Sequence, residues 1–244
     1  MAQNIYDDQQ FFEGYSQLNR SVHGLDGAPE WPALKAMLPE VRGTKVVDLG
    51  CGYGWFCRYM REQGAAQVLG LDISAKMLEK ARSMTADDNI DYRREDLDNL
   101  TLPAETYSLA YSSLALHYLQ NLSGLFDQVY QSLVPGGHFV FSAEHPIFTA
   151  PAQPGWLTTT SGQKTWPVDG YQREGERVTN WFAEGVIKQH RKLATYINLL
   201  IKSGFIITQV DEWGPSAEQL ASMPALQEET ERPMMFLLAA QKPR

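Results

Sequence analysis

Lys45-Val46-Val47-Asp48-Leu49-Gly50-Cys51-Gly52-Tyr53-Gly54 is the stretch on which the fold of this chain turns. An apolar β-branched pair runs into an aspartate, glycines follow at alternate positions, and Trp55-Phe56-Cys57-Arg58-Tyr59-Met60 opens a helical pattern. Glycine accepts positive φ and lets a ligand press against the main chain. A strand ending in such a turn, with a helix N-terminus beyond it, forms the entrance of a nucleotide-type pocket. The spacing narrows the nucleotide. A dinucleotide fingerprint reads G-x-G-x-x-G, whereas here the glycines alternate and an aspartate stands two residues before the first.

The 244 residues suffice for one α/β domain with an insertion. With 43% hydrophobic and 20% charged residues the composition is that of an ordinary globular protein. A formal net charge of −8 opposes binding to a polyanion and disfavours nucleic acid as substrate. The first residues, Met1 to Asp8, are polar and acidic without a signal-peptide core, and no apolar run reaches membrane-spanning length. The two cysteines, Cys51 and Cys57, exclude a disulfide framework and offer too few ligands for zinc. The expectation is a soluble, cytoplasmic, metal-free protein.

Along the chain, residues 6–20 read as a short amphipathic helix and residues 29–38 as a second. Residues 46–49, 67–72, 90–94, 107–111 and 138–142 read as strands, with helices predicted over 55–63, 75–84 and 121–134 between them. Pro135-Gly136-Gly137 is expected to separate the last of these helices from the fifth strand. Strands alternating with helices imply parallel βαβ units in a doubly wound α/β sheet. From Glu144 to about Lys192 the rhythm stops in a segment rich in proline and tryptophan. A hairpin is expected there, Val178–Phe182 with Val186–His190 around Glu184-Gly185. A helix over 193–202, a sixth strand over 205–210 and a last strand over 234–240 complete the pattern.

Asp72 ends the second strand 22 residues after Gly50, close to the separation at which a carboxylate receives two ribose hydroxyls. With it, Asp48-x-Gly50-x-Gly52-x-Gly54 resembles the first motif of the class I S-adenosylmethionine-dependent methyltransferases. The Leu116-His117 pair after the fourth strand and Leu133-Val134-Pro135-Gly136-Gly137 before the fifth are similar to later motifs of that family. Tyr107-Ser108 departs from the Phe-Asp common at the start of the fourth strand. The likeness covers about residues 44–142. It implies a Rossmann-like methyltransferase fold, a seven-stranded, mostly parallel sheet whose last strand is antiparallel and inserted between the fifth and sixth. It also implies S-adenosyl-L-methionine as cofactor, with contacts from Asp48, Gly50, Cys51, Gly52, Asp72, Ile73, Met77, Asp96, Leu97 and Ser112. Asp96 stands where the family places an acceptor for the adenine amino group. The aromatic N-terminal helix is similar to a lid over the cofactor, with Tyr6, Tyr15 and Arg20 as its polar members.

The chain thus reads as a single domain over 1–244: an N-terminal lid (1–40), a cofactor-binding core (44–142), a substrate-side insertion (143–192) and a C-terminal helix with strands (193–244). In a parallel sheet the ligand lies beyond the carboxyl ends of the strands. The segment after the fifth strand therefore faces it, and Trp156, Trp166, Tyr171 and Trp181 are candidates to line an acceptor cavity. His117 and His145 are candidate general bases, because imidazole titrates near neutrality. For His117 the alternative is a contact to the cofactor without proton transfer, and for His145 a structural place in the Pro146 turn. The expected reaction is methyl transfer to an O, N or C atom of a small-molecule acceptor. The competing readings are a nicotinamide-dependent oxidoreductase and a non-catalytic S-adenosylmethionine-binding sensor or scaffold. The oligomeric state is not legible in the sequence.

Overall fold

In the computed structural model, which describes residues 3–244, an N-terminal segment leads into the sheet. It comprises a 3-10 turn (Ile5–Asp7), α1 (Gln9–Ser16), α2 (Asn19–Val22) and α3 (Trp31–Ala36). The order then runs β1 (Lys45–Leu49), α4 (Trp55–Glu62), β2 (Gln67–Asp72), α5 (Ala75–Ser83), β3 (Ile90–Arg94), β4 (Tyr107–Ser113), α6 (Leu122–Ser132) and β5 (Leu133–Glu144). The insertion carries α7 (Pro146–Thr149), the short pair β6 (Leu157–Thr158) and β7 (Lys164–Thr165), and the hairpin β8 (Gly175–Trp181) and β9 (Ala183–His190). The chain closes with α8 (Leu193–Ser203), β10 (Ile206–Glu212), α9 (Ala217–Ser222) and β11 (Met235–Gln241).

The sheet has seven strands in the order β10-β11-β5-β4-β1-β2-β3. β1 to β5 run parallel, and β11 is antiparallel to both β5 and β10. This is the expected topology, the last strand lying between the fifth and the sixth. Side chains alternate across the sheet, as the two-residue period of a strand requires. Val47, Leu49, Leu69 and Leu71 pack under α6 and α8, whereas Val46 and Val68 pack under α3, α4 and α5. Truncating any of the fully buried leucines to alanine costs about 2–5 kcal/mol.

Two predicted boundaries differ. α6 stops at Ser132 and β5 begins at once, so Pro135-Gly136-Gly137 lies inside the strand. The β4–β5 register shifts beside it, and such a bulge tolerates a proline that has no N–H to offer. The hairpin reverses at Phe182, which takes φ 58°, and Gly185 falls within β9. A register shift between Thr179 and Trp181 absorbs the extra residue. Phe182 is held there by α1: its ring lies where a Cβ on Gly14 would stand, 2.6 Å from Phe182 Cδ1, and packs edge-on against Phe11.

The hairpin tip and the N-terminus therefore meet. Gln3 bonds the main chain of Gly185 and Ile187, and Ile5, Phe11 and Val186 form a small core of their own. Asp7 reaches the start of α5, where its carboxylate accepts from Ser74 Oγ at 2.6 Å and from the main-chain N–H of Lys76 at 3.1 Å. A carboxylate at a helix N-terminus satisfies unpaired donors and meets the positive end of the dipole. These contacts lower the Asp7 pKa despite its partial burial.

Candidate active site

A cavity of about 650 Å³ lies beyond the carboxyl ends of β1, β2, β4 and β5. One end is built by the glycine turn. Gly50 takes φ 81°, and a Cβ there would stand 2.5 Å from the Cβ of Ala115; Gly52 takes φ 51°, and a Cβ there would point into open space. Both positions are closed to ordinary side chains by backbone conformation. The main chain beside Gly52 is bare, as a cradle for a close-fitting ligand requires.

Asp72 faces this space from the end of β2. Its Oδ2 accepts from Gly52 N and its Oδ1 from Ser74 N, each at 2.9 Å, so the carboxylate is fixed while lone pairs on both oxygens remain. Burial lifts its pKa to about 6 against the opposing main-chain hydrogen bonds. Ile73, Met77, Asp96 and Leu97 line the same end, and Tyr15 and Arg20 close it from the N-terminal segment. Arg20 is held by the wholly buried Glu30, Nη2 to Oε1 at 3.0 Å.

Some predicted residues lie elsewhere. Asp48 and Cys51 border a smaller adjoining cavity of about 100 Å³ behind the glycine turn. There Asp48 accepts from Cys57 Sγ at 3.3 Å, and burial pushes it up to about 7. Ser112 is fully buried with its hydroxyl donated to Leu49 O at 2.7 Å, and Ser113 lines the cavity in its place. The alternation of β4 sends neighbouring side chains to opposite faces.

The other end is aromatic. Trp156, Trp166 and Trp181 line it as expected, together with Phe148. Tyr171 does not: it stands beside His190, whose Nε2 bonds the Tyr171 carbonyl at 2.9 Å. His145 is also outside the cavity. Its Nδ1 accepts from Ile147 N at 3.0 Å, capping α7, and its Nε2 bonds Glu212 at 2.7 Å, so both ring nitrogens are engaged in structure. The turn reading of His145 is the one its geometry fits.

His117 lines the cavity, buried between Tyr118 and Glu144. Burial lowers its pKa to about 4, so the ring is neutral at neutral pH. Glu144 N donates to its Nδ1 at 3.4 Å, which assigns the proton to Nε2. That nitrogen lies 3.8 Å from Glu144 Oε1, beyond hydrogen-bond reach. With its Nδ1 lone pair engaged by the Glu144 N–H, the neutral ring has its Nε2–H free to donate a hydrogen bond.

Sequence reasoning passed over three charged residues. Glu144 at the end of β5 holds Lys188 of β9, Oε1 to Nζ, at 2.5 Å, and both line the cavity. Burial works against the Glu144 carboxylate, and the neighbouring His117 ring and the Lys188 ammonium reverse this, holding its pKa below the ordinary value. Arg232, just before β11, reaches the aromatic end. Its only sequence signal is a single arginine in an acidic run.

The comparisons agree with this geometry. A protein-family description, "Methyltransferase domain", matches residues 47–141. The crystal structure of an S-adenosylmethionine-dependent methyltransferase from Mesorhizobium loti is 56% identical, covers 90% of this chain and all of its own, and superposes with a TM-score of 0.87. An uncharacterized protein of Haemophilus influenzae is 33% identical over 98% of this chain and 97% of its own length. Malonyl-[acyl-carrier protein] O-methyltransferase of Enterobacter lignolyticus is 37% identical over 45% of this chain and 43% of its own. The nicotinamide and sensor readings find no support among these relatives. Among the described residues no helix is long and apolar enough to cross a membrane. With its glycine turn, strand-end aspartate and inserted last strand, the chain belongs to the class I S-adenosylmethionine-dependent methyltransferases, enzymes whose cofactor is S-adenosylmethionine.

Proposed function

We propose that the acceptor is a small molecule, methylated at an O, N or C atom, held between the end of β5 and the 143–192 insertion. The observation that supports this is one continuous cavity with two unlike ends. The glycine turn, Asp72 and Asp96 stand at one, and Trp156, Trp166 and Trp181 at the other, within about 650 Å³. That volume is ordinary for small-molecule and cofactor sites, which run from about 300 to 1,000 Å³.

When bound, the cofactor supplies an electrophilic methyl group on a positively charged sulfur. The residues present fit it. Gly50 and Gly52 leave the main chain open, Asp72 has lone pairs for the ribose hydroxyls, and Asp96, which lines the same end, would accept from the adenine amino group. Ile73, Met77 and Leu97 give the base an apolar bed, and Arg20 faces the end that takes the ligand's own carboxylate. Residues 3–40 act as a lid, latched by Asp7 on α5 and by Phe182 on α1. Tyr6, Tyr15 and Tyr118 meet beneath it, with Tyr6 ring centroids 5.2 and 5.9 Å from the other two. Such a cover excludes water and fixes the approach of the acceptor, which supplies much of the acceleration where the leaving group is already good. His117 acts as a donor that orients the acceptor.

The test is incubation of the protein with methyl-labelled cofactor and a metabolite extract. A labelled product of low mass is expected. Label found only in macromolecules would overturn the small-molecule reading.

A further inference from the structure

We propose that the acceptor is a flat monocarboxylic acid whose carboxylate is received by Arg232, an inference that rests on reading the aromatic end of the cavity as the acceptor chamber. The Arg232 side chain is only 5% exposed. Its guanidinium lies over the rings of Trp166, Phe148 and Trp156, at 4.3, 5.0 and 5.3 Å from their centroids. Among the described residues its side chain makes one hydrogen bond, from Nη1 to Glu229 Oε2 at 2.6 Å. Nε is buried without a partner.

Nε and Nη2 form the side edge of the guanidinium, two parallel N–H donors matched to the two oxygens of a carboxylate. Buried donors of a charged group are rarely left unpaired, so this edge is a site waiting for an acceptor atom. The flanking rings hold the guanidinium plane and offer apolar walls to a flat ligand body.

The other cations of this end are already occupied. Arg177 Nε donates to Ala150 O at 3.1 Å, and its Nη2 donates to Gly170 O and Arg173 O. Lys188 is paired with Glu144 and stacked 5.1 Å from the Trp181 ring. Three lining cations, Arg177, Lys188 and Arg232, against the carboxylates of Glu144 and Glu229 leave one positive charge in surplus, since Glu228, which also faces Arg232, is paired with Lys164. A monoanion balances it. A phosphate monoester, with a charge of about −1.5 to −2 at neutral pH, exceeds it.

The experiment is calorimetry on the intact protein saturated with S-adenosylhomocysteine, using benzoate and trans-cinnamate as probes beside benzamide, benzylamine and phenyl phosphate. The acids should bind at least about tenfold more tightly than the amide, amine or phosphate. Arg232→Met should abolish that preference and Arg232→Lys should keep part of it, with S-adenosylhomocysteine affinity unchanged in both. Equal binding of benzamide, preference for phenyl phosphate, no binding of either acid at millimolar concentration, or undiminished acid binding by Arg232→Met would each overturn the proposal. Failure of the S-adenosylhomocysteine titration itself would instead strike the underlying reading of the site.

Discussion

Lys188 Nζ lies 2.5 Å from Glu144 Oε1, and this one contact ties the hairpin of the insertion to the end of β5. Both side chains are largely buried, at 8% and 14% exposure, so either one alone is a charge without compensation. Removing one partner of such a pair costs about 3–5 kcal/mol, whereas replacing both is often near neutral. Glu144→Gln and Lys188→Met should each lower unfolding free energy by that order in urea titrations, and the double variant should recover most of it. Single losses that simply add in the double variant would refute the coupling.

Asp48 carries a pH signature. Burial raises its folded-state pKa to about 7, above the 3.8 of an unperturbed carboxyl. Between those values the folded protein binds the proton more tightly than the unfolded chain, so this group's contribution to stability falls as pH rises. The slope reaches about 1.4 kcal/mol per pH unit at most. Asp48→Asn lacks the ionisable group and should gain stability over wild type as pH rises from 5 to 7, then hold the gain above 8. A constant difference across thermal melts at those pH values would contradict the assignment.

Asp7 should govern lid closure. Its bonds to Ser74 and Lys76, with the 2.8 Å bond from Lys76 Nζ to Gln9 Oε1 beside them, latch the N-terminal segment to α5. Asp7→Ala should speed protease cleavage within residues 8–25 and weaken S-adenosylhomocysteine binding by about tenfold, the loss expected of one charge-assisted bond set. Unchanged affinity together with unchanged cleavage would sink the latch.

His117 should leave no mark near neutrality on the pH–rate profile. With its pKa lowered to about 4 it stays neutral from pH 5 to 8. His117→Ala should cost about tenfold in kcat/KM through a lost hydrogen bond. A rising limb between pH 6 and 7 in the wild type, absent from the variant, would return His117 to the role of base.

The half of the site nearest the glycine turn was legible in the sequence because its chemistry is local. Gly50, Gly52, Asp72 and Asp96 each stand at a strand end, and strand ends can be read from hydrophobic period and breakers. Even there the facing of single side chains was not legible. Ser112 and Ser113 are equivalent as letters, and only the pleat decides which one meets the cavity. The acceptor end was less readable still. Arg232 follows Glu228-Glu229-Thr230-Glu231, a run that looks solvated, and becomes a buried donor only because three rings from the insertion close over it. Glu144 and Lys188 are 44 residues apart, and no pattern announces their meeting. Phe182 holds positive φ by packing against Gly14, a tertiary contact that outweighs the local turn preference of Gly185.

β10 reaches the sheet only through β11. The connection between them, residues 213–234, carries Arg232. β1 to β4, with the glycine turn, Asp72 and Asp96, pair among themselves without either strand. Detaching the β10–β11 pair would therefore dismantle the Arg232 end and leave the nucleoside end standing. On gentle heating the enzyme should lose its grip on the acceptor before it loses the cofactor, passing through an idle, loaded state in which amide protons of β11 exchange ahead of those of β1.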